Sequence, residues 1–301
     1  LRHNKTDKTD AYHLALIQKL YHHPVSQLQA DQYHQLNALS RFYDQLTSDI
    51  VMAKNRLHKI LQFTFPELES LFSTAKGFNY WSIVKMYPHC ELVNSSTELE
   101  IYNKLIELPG FQDKKAKKFT SNLISSARKA YPVASCNSVE SSEAKYYAQR
   151  LIDLNKKRKD LIDQMVKIAK SLPNRDLEIL ESIPGIAQTT AVRILGELGD
   201  LRRFSNPNKI NAFIGIDQGR YQSGEIDASL SIIKHGNAVA RKILYRAIGQ
   251  IDQAAKTQHC HIADYYENKK LSSQTKGFKK IAIASIHKLI RTMYALISND
   301  Q

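Results

Sequence analysis

Two parts of this 301-residue chain hold residue types that could act on a phosphate. Ser223 stands directly before Gly224 within Tyr-Gln-Ser-Gly, with Arg220 just ahead and Lys234, His235 and Arg241 close behind. A serine hydroxyl on a sterically open turn can attack a phosphodiester and hold the phosphate covalently, which preserves the bond energy for resealing. Cations alongside must neutralise the pentacovalent phosphate, and Arg220, Lys234 and Arg241 are the candidates. A Ser-Gly pair is also an ordinary turn. His235 could shuttle a proton or merely cap a loop, and Gly236-Asn237 reads as the end of one segment and the cap of the next helix. At the N-terminus, Asp7 and Asp10 lie three apart, so on a helix they share a face where hard carboxylate oxygens could hold Mg²⁺. The plainer reading of that pair is a solvated helix start, where Asp is favoured.

The run Ile183-Pro184-Gly185-Ile186-Ala187-Gln188-Thr189-Thr190-Ala191 precedes a strongly apolar stretch that Gly199-Asp200 stops. An apolar residue, a proline and a glycine can turn the chain tightly between two helices. The backbone N–H groups at the next helix start, from Gly185 to Thr190, then face outward toward a phosphate without reading sequence, with the Thr189 and Thr190 hydroxyls adding contacts. A weaker copy, Leu108-Pro109-Gly110-Phe111-Gln112-Asp113-Lys114-Lys115-Ala116, lies earlier. In both, the proline precedes an alanine by seven residues, and both lack a second glycine, having Gln112 and Ala187 there. Lys114, Lys115, Lys117 and Lys118 also fit a solvated face.

The elements that must position these groups read as helices. Leu36, Leu39, Tyr43, Leu46, Ile50, Ala53, Leu57 and Ile60 alternate three and four apart, and Tyr147, Leu151, Leu154, Leu161, Met165 and Ile168 do the same, with Arg158 at one seam position. Such a repeat predicts a coiled-coil pair, or two core helices of a bundle, ended by Pro66 and Pro173. Helix signals fade from Asn206 to Leu230, where Pro207, Gly215, Gly219 and Gly224 predict a compact loop or short hairpin carrying Ser223. An amphipathic stretch from Lys279 to Ile297 should pack against the hairpin region. No stretch reads as long and apolar enough to span a membrane.

The charge balance sets the class of partner. With 43 Lys and Arg against 29 Asp and Glu, the formal net charge is +14, which favours a polyanion through counterion release. Cys90, Cys136 and Cys260 are scattered with no C-x-x-C pair, so neither a zinc site nor a disulfide framework is expected.

Four blocks together resemble one protein family. They are Arg-His-Asn-Lys-Thr-Asp-Lys-Thr-Asp-Ala-Tyr-His-Leu-Ala (2–15), Ile183 to Phe204, Tyr-Gln-Ser-Gly (221–224) with Ile-Ile-Lys-His-Gly-Asn (232–237), and Tyr-Tyr-Glu-Asn-Lys-Lys (265–270) with the tail Lys279 to Arg291. Their order and spacing resemble the insertion sequence one-ten family of transposases. The resemblance implies an N-terminal ribonuclease-H-like (RuvC-like) domain with four acidic residues, a coiled coil, and a C-terminal domain with a serine nucleophile. Asp7 and Asp10 match the last two acids. The first two would lie upstream, as Leu1 in place of Met also hints, so the Mg²⁺ ligand set is expected to be incomplete. The expected fold is mainly α: a RuvC-like remnant over 1–30, a coiled-coil region over 31–175 with an inserted helical subdomain at 64–138, and a C-terminal transposase domain over 176–301. That last domain should hold a helix-hairpin-helix element and a short β segment. The expected activity is cleavage and rejoining of DNA, with Ser223 as nucleophile, a structured guide RNA, a homodimer or homotetramer, and a place in the bacterial cytoplasm or nucleoid. A catalytically dead nucleic-acid-binding remnant and a structural coiled-coil adaptor are the alternatives.

Overall fold

The computed structural model describes residues 7–21, 29–74, 77–223, 226–272 and 277–299, with the backbone alone over 220–223 and 226–230. Leu1 to Thr6 and Gly224, parts of two motifs above, and the side chains of Arg220 and Ser223 lie outside what is described. The protein is mainly helical, and its described strands form one two-stranded hairpin.

A short exposed helix, α1 (Asp7–Tyr21), precedes the long α2 (Asp31–Thr64). A 3-10 turn at Pro66–Leu71 then opens a cluster of four helices: α3 (Phe78–Met86), α4 (Cys90–Asn94), α5 (Glu98–Ile106) and α6 (Asp113–Lys129). The second long helix, α7 (Val139–Lys170), returns alongside α2. Each long helix reaches roughly 50 Å at 1.5 Å per residue. Their apolar stripes meet each other. Leu36 at the start of α2 shares a core with Met165 and Ala169 at the end of α7, while Ile50, Ala53 and Leu57 share another with Ala144, Ala148 and Leu151. The pair is therefore antiparallel and carries a core at each end. Arg158, the cation at the apolar seam, lies 5.8 Å from the centre of the Tyr43 ring, which lets its charge rest on a π face.

The core at the far end holds α3 to α6. Thr97 and Glu100 start α5 with a reciprocal capping box. The other core gathers the C-terminal elements: α8 (Asp176–Glu181), α9 (Gln188–Leu198), a 3-10 turn at Leu201–Arg203, α10 (Pro207–Ile214), α11 (Ala238–Ala254), α12 (His261–Leu271) and α13 (Phe278–Ser298). Between α10 and α11 runs the antiparallel hairpin of β1 (Gln218–Ser223) and β2 (Ile226–Ile232).

α13 corrects one sequence expectation. Among the described helices it is the one long and apolar enough to cross a membrane. Its Ala282, Ile286, Leu289, Ile290, Met293 and Ile297 are instead buried against the other C-terminal helices, as in the core helix of a globular fold.

Candidate nucleic-acid interface

The base of the β hairpin is a crossing of two chain segments at backbone contact. Gly215 closes α10 in the left-handed conformation at φ +70°, and a Cβ there would lie 2.0 Å from the His235 carbonyl oxygen. Gly236, at φ +117°, faces the Phe213 carbonyl with equally little room, 2.3 Å for a Cβ. Lys234 is itself left-handed at φ +61°, and its N–H donates to the Gly215 carbonyl at 3.0 Å. The Ile233 N–H donates to Asp217 and the Asn237 N–H to Phe213, both at 2.9 Å. Asn237 then caps α11, its side chain accepting from the Val239 and Ala240 N–H groups.

From this base the strands run outward, pairing Gln218 with Ile232, Arg220 with Ser229 and Ser223 with Ile226, with a bulge between Gln218 and Arg220. Ser223 is the last residue of β1 and pairs with Ile226, the first of β2, at the far end of the hairpin. That puts its backbone about 17 Å along the strand from Gln218, at ~3.3 Å per residue. Sequence proximity therefore misleads here. Ser223 sits at the tip, while Lys234 and Arg241 sit at the base.

Around that base opens a cleft of about 1140 Å³, walled by α10, the feet of β1 and β2, α11 and α13. Seven cations line it: Lys234, Arg241, Lys242, Lys279, Lys280, Lys288 and Arg291, against the single carboxylate of Asp217 among its described lining. Tyr245 and Tyr265 add two rings, which suit stacking against bases. Two of the cations are held. Arg241 donates to the Ile214 carbonyl at 2.6 Å, and Lys242 pairs with Asp44 of α2 at 2.6 Å. His287 is partly buried in the wall, and burial holds its pKa below the usual histidine value despite the nearby Asp217. The α13 cations were missed from sequence. Lys280, His287, Lys288 and Arg291 recur at helical spacing beside the apolar side of that helix, and this stripe was the available signal.

A buried polar cluster fastens α2 to this region. The Glu197 side chain, wholly buried on α9, accepts from Ser40 at 2.9 Å, from Arg41 at 2.8 Å and from the Asn237 amide at 2.8 Å. Asp44 accepts from the mostly buried Arg193 at 2.6 Å. Gly196 lets the α2 backbone come close, since a Cβ there would lie 2.7 Å from the Leu36 carbonyl. The long helix thereby holds the cap of α11, the helix that carries Arg241, Lys242 and Tyr245 to the cleft.

The turn between α8 and α9 is a separate feature. Gly185 is left-handed at φ +87°, and the Ile186 N–H closes the turn onto the Ile183 carbonyl at 2.9 Å. A Cβ on Gly185 would lie 2.6 Å from the Ile251 backbone, so the turn is pressed onto α11. Ala187 supplies no side-chain cap and the first turn of α9 holds no acid, which suits an anion at its amides. Ala187 and Gln188 are exposed and Thr189 half-buried, whereas the Thr190 hydroxyl is engaged with Gln250 at 3.1 Å. The weaker copy between α5 and α6 has the same backbone: Gly110 at φ +76° and the Phe111 N–H on Leu108 at 3.1 Å. There, however, Asp113 opens the helix and pairs with Lys117 and Tyr102, so the position is already negative. None of residues 185–190 lines the cleft. Asp7 is exposed and Asp10 half-buried on the first turn of α1, away from the two cores.

A helical protein with a cation-walled cleft and a bare helix start belongs physically with proteins that attract polyanions. Comparison with known proteins narrows this. Residues 177–267 match the model described as "Transposase IS116/IS110/IS902 family", and residues 1–66 match a transposase model of the DEDD kind from IS110. Together the two matches take in more than half of the chain, and the chain belongs to this family of transposases. It is also 25% identical over 146 residues to the transposase for insertion sequence element IS1111A of Coxiella burnetii, a match over 47% of this chain and 38% of that protein. The match thus spans well under half the length of that relative.

Proposed function

We propose that this chain contributes the DNA-gripping and strand-rejoining part of an insertion-sequence transposase, with Ser223 as its nucleophile. The observation that carries the reading is the cleft, where seven cations face one carboxylate at the foot of the hairpin whose tip bears Ser223. In the proposed step the Ser223 hydroxyl oxygen bonds to the scissile phosphorus, the bond to the 3′ oxygen breaks, and the hydroxyl proton passes to that leaving oxygen. Reversal by a new 3′ hydroxyl reseals the strand. The cleft cations track the backbone of the same DNA, and the helix-hairpin-helix turn at 185–190 offers its amides to a further phosphate. Arg220, three residues before the serine, is the proposed cation nearest along the chain to the reacting phosphate, since Lys234 and Arg241 stand at the hairpin base.

The separation between tip and base supports a substrate that reaches across the hairpin, as a duplex or a folded guide RNA would. A second chain in the assembly is supported by the apolar side chains left exposed on α2, Phe42, Val51, Met52 and Phe63. For Mg²⁺, Asp7 and Asp10 are oxygen donors of the right kind on the first turn of α1. They supply two carboxylates where two-metal phosphoryl chemistry wants three or four, so this pair by itself does not make the centre.

Two measurements test the reading. A suicide substrate with a nicked strand should trap a covalent protein–DNA adduct at Ser223, and Ser223→Ala should leave none while binding DNA as before. An adduct that survives the substitution sinks the nucleophile. Separately, Lys288→Ala and Arg291→Ala, whose side chains carry no structural ion pair among the described contacts, should each lower the slope of log affinity against log salt by about one. A slope equal to that of the unaltered chain removes the cleft from the DNA path.

A further inference from the structure

The fold brings together three side chains that no spaced motif announces. His89, Glu91 and Cys136 place one ligand atom each within 4.8 Å of one another, at the start of α4 and in the segment joining α6 to α7. We propose that they form a binding site for one thiophilic divalent cation of the Zn²⁺ type, with water as the fourth ligand. It is built on the far core, apart from the cleft.

The histidine is prepared for the task. His89 is fully buried, and its Nε2 lies 3.0 Å from the Ala134 carbonyl, an acceptor, so Nε2 carries the proton and Nδ1 keeps its lone pair. A ring nitrogen donating to a backbone carbonyl while the other faces a metal is the usual way of fixing a ligating histidine. Nδ1 now caps α4, accepting from the Glu91 N–H at 3.2 Å with the Cys90 sulfur 3.9 Å away, and the cation would take the place of that cap. Cys136 is half-buried and Glu91 exposed, so the carboxylate is free to swing. Tetrahedral Zn²⁺ with bonds near 2.0–2.3 Å sets ligand atoms about 3.3–3.6 Å apart, and rotamer changes at Glu91 and Cys136 cover the difference. A thiolate and an imidazole select against Mg²⁺.

Burial, and next the Glu91 carboxylate, hold the Cys136 thiol above its usual pKa. The cation must therefore displace that proton to solvent, one per ion bound, and binding strengthens as pH rises. The ion would clamp a segment already strapped to α2, since the Val133 and Ala134 N–H groups both reach the Phe63 carbonyl at 3.0 Å. It would close the chain from Glu91 to Cys136 around α5 and α6, and long closed loops gain most from such a tie.

The test is a Co²⁺ titration of the tag-free, chelator-stripped chain. One equivalent should produce a sulfur-to-cobalt charge-transfer band with tetrahedral visible bands, and Zn²⁺ should bleach both. Cys136→Ser should abolish the charge-transfer band, Glu91→Gln should weaken affinity by about tenfold or more, and Cys260→Ser, in the other core, should change nothing. Unchanged helicity and metal-free melting of the Cys136→Ser chain would certify its fold. A missing band in the unaltered chain, or one that persists in Cys136→Ser, overturns the proposal.

Discussion

Glu197→Ala should lower the stability of the chain by roughly 2–4 kcal/mol, from one buried hydroxyl left unpaired and weaker losses around it. The reason lies in what remains. Glu197 is wholly buried and accepts from Ser40, Arg41 and Asn237 at once. Its loss leaves Ser40, itself fully buried, without its acceptor, at about 1–3 kcal/mol, while the Asn237 amide loses its shorter bond and keeps the Glu197 backbone carbonyl at 3.2 Å. Arg41 is 45% exposed and can turn to water, so it adds little. The damage should spread to function, because Asn237 caps α11 and α11 brings Arg241, Lys242 and Tyr245 to the cleft. Denaturant unfolding would give the stability change. A loss under about 1 kcal/mol, the scale of an exposed pair, would mean that the cluster is solvated and does not fasten α2 to α9.

Gly215→Ala should cost a similar amount by a different route. At φ +70° an L-residue pays about 1–2 kcal/mol for the left-handed conformation. The added Cβ would also sit 2.0 Å from the His235 carbonyl, which is backbone held by the Gly236 turn and cannot swing aside as a side chain would. Such overpacking adds about 1–3 kcal/mol. The strain falls at the hairpin base, so DNA binding through the cleft should weaken together with the melting temperature. Gly249→Ala is the control: a Cβ there meets no atom within 4 Å, so stability should hold or rise. Equal effects of the two substitutions would show that the crossing of 213–216 with 233–237 is not as tight as described.

Much of the architecture was legible because it rests on local periodicity. The apolar repeat from Leu36 to Ile60 and the one from Tyr147 to Ile168 are helices in the structure, since a stripe three and four apart can bury itself in only one regular conformation. Pro66 lies two residues past the end of α2 and Pro173 three past the end of α7, where a missing N–H forbids continuation. Gly185 and Gly110 signalled their turns because a left-handed residue excludes most side chains. Asn237 was readable as a cap for the same local reason: its short side chain reaches the next two N–H groups.

The candidate site was legible only in part. Ser223, Lys234 and Arg241 are near in sequence, yet the antiparallel pairing puts Ser223 with Ile226 at one end of the hairpin and Gln218 with Ile232 at the other, so nearness in sequence gave the wrong grouping. The stripe of Lys280, Lys288 and Arg291 on α13 joins Lys234 across more than forty residues only because the apolar side of α13 is buried beneath it.

By itself, then, the sequence determined a basic, helical chain of the IS116/IS110/IS902 transposase family, with its turns and caps in place, because charge, helical period and glycine conformations are properties of residues and near neighbours. The tertiary structure decided what each residue faces. It paired α2 with α7, buried Glu197 against Asn237, built the cleft from four distant segments, and set His89 beside Cys136. Those contacts arise from burying apolar faces on one another, a choice made among all the faces of the chain at once and so invisible in any single stretch of it.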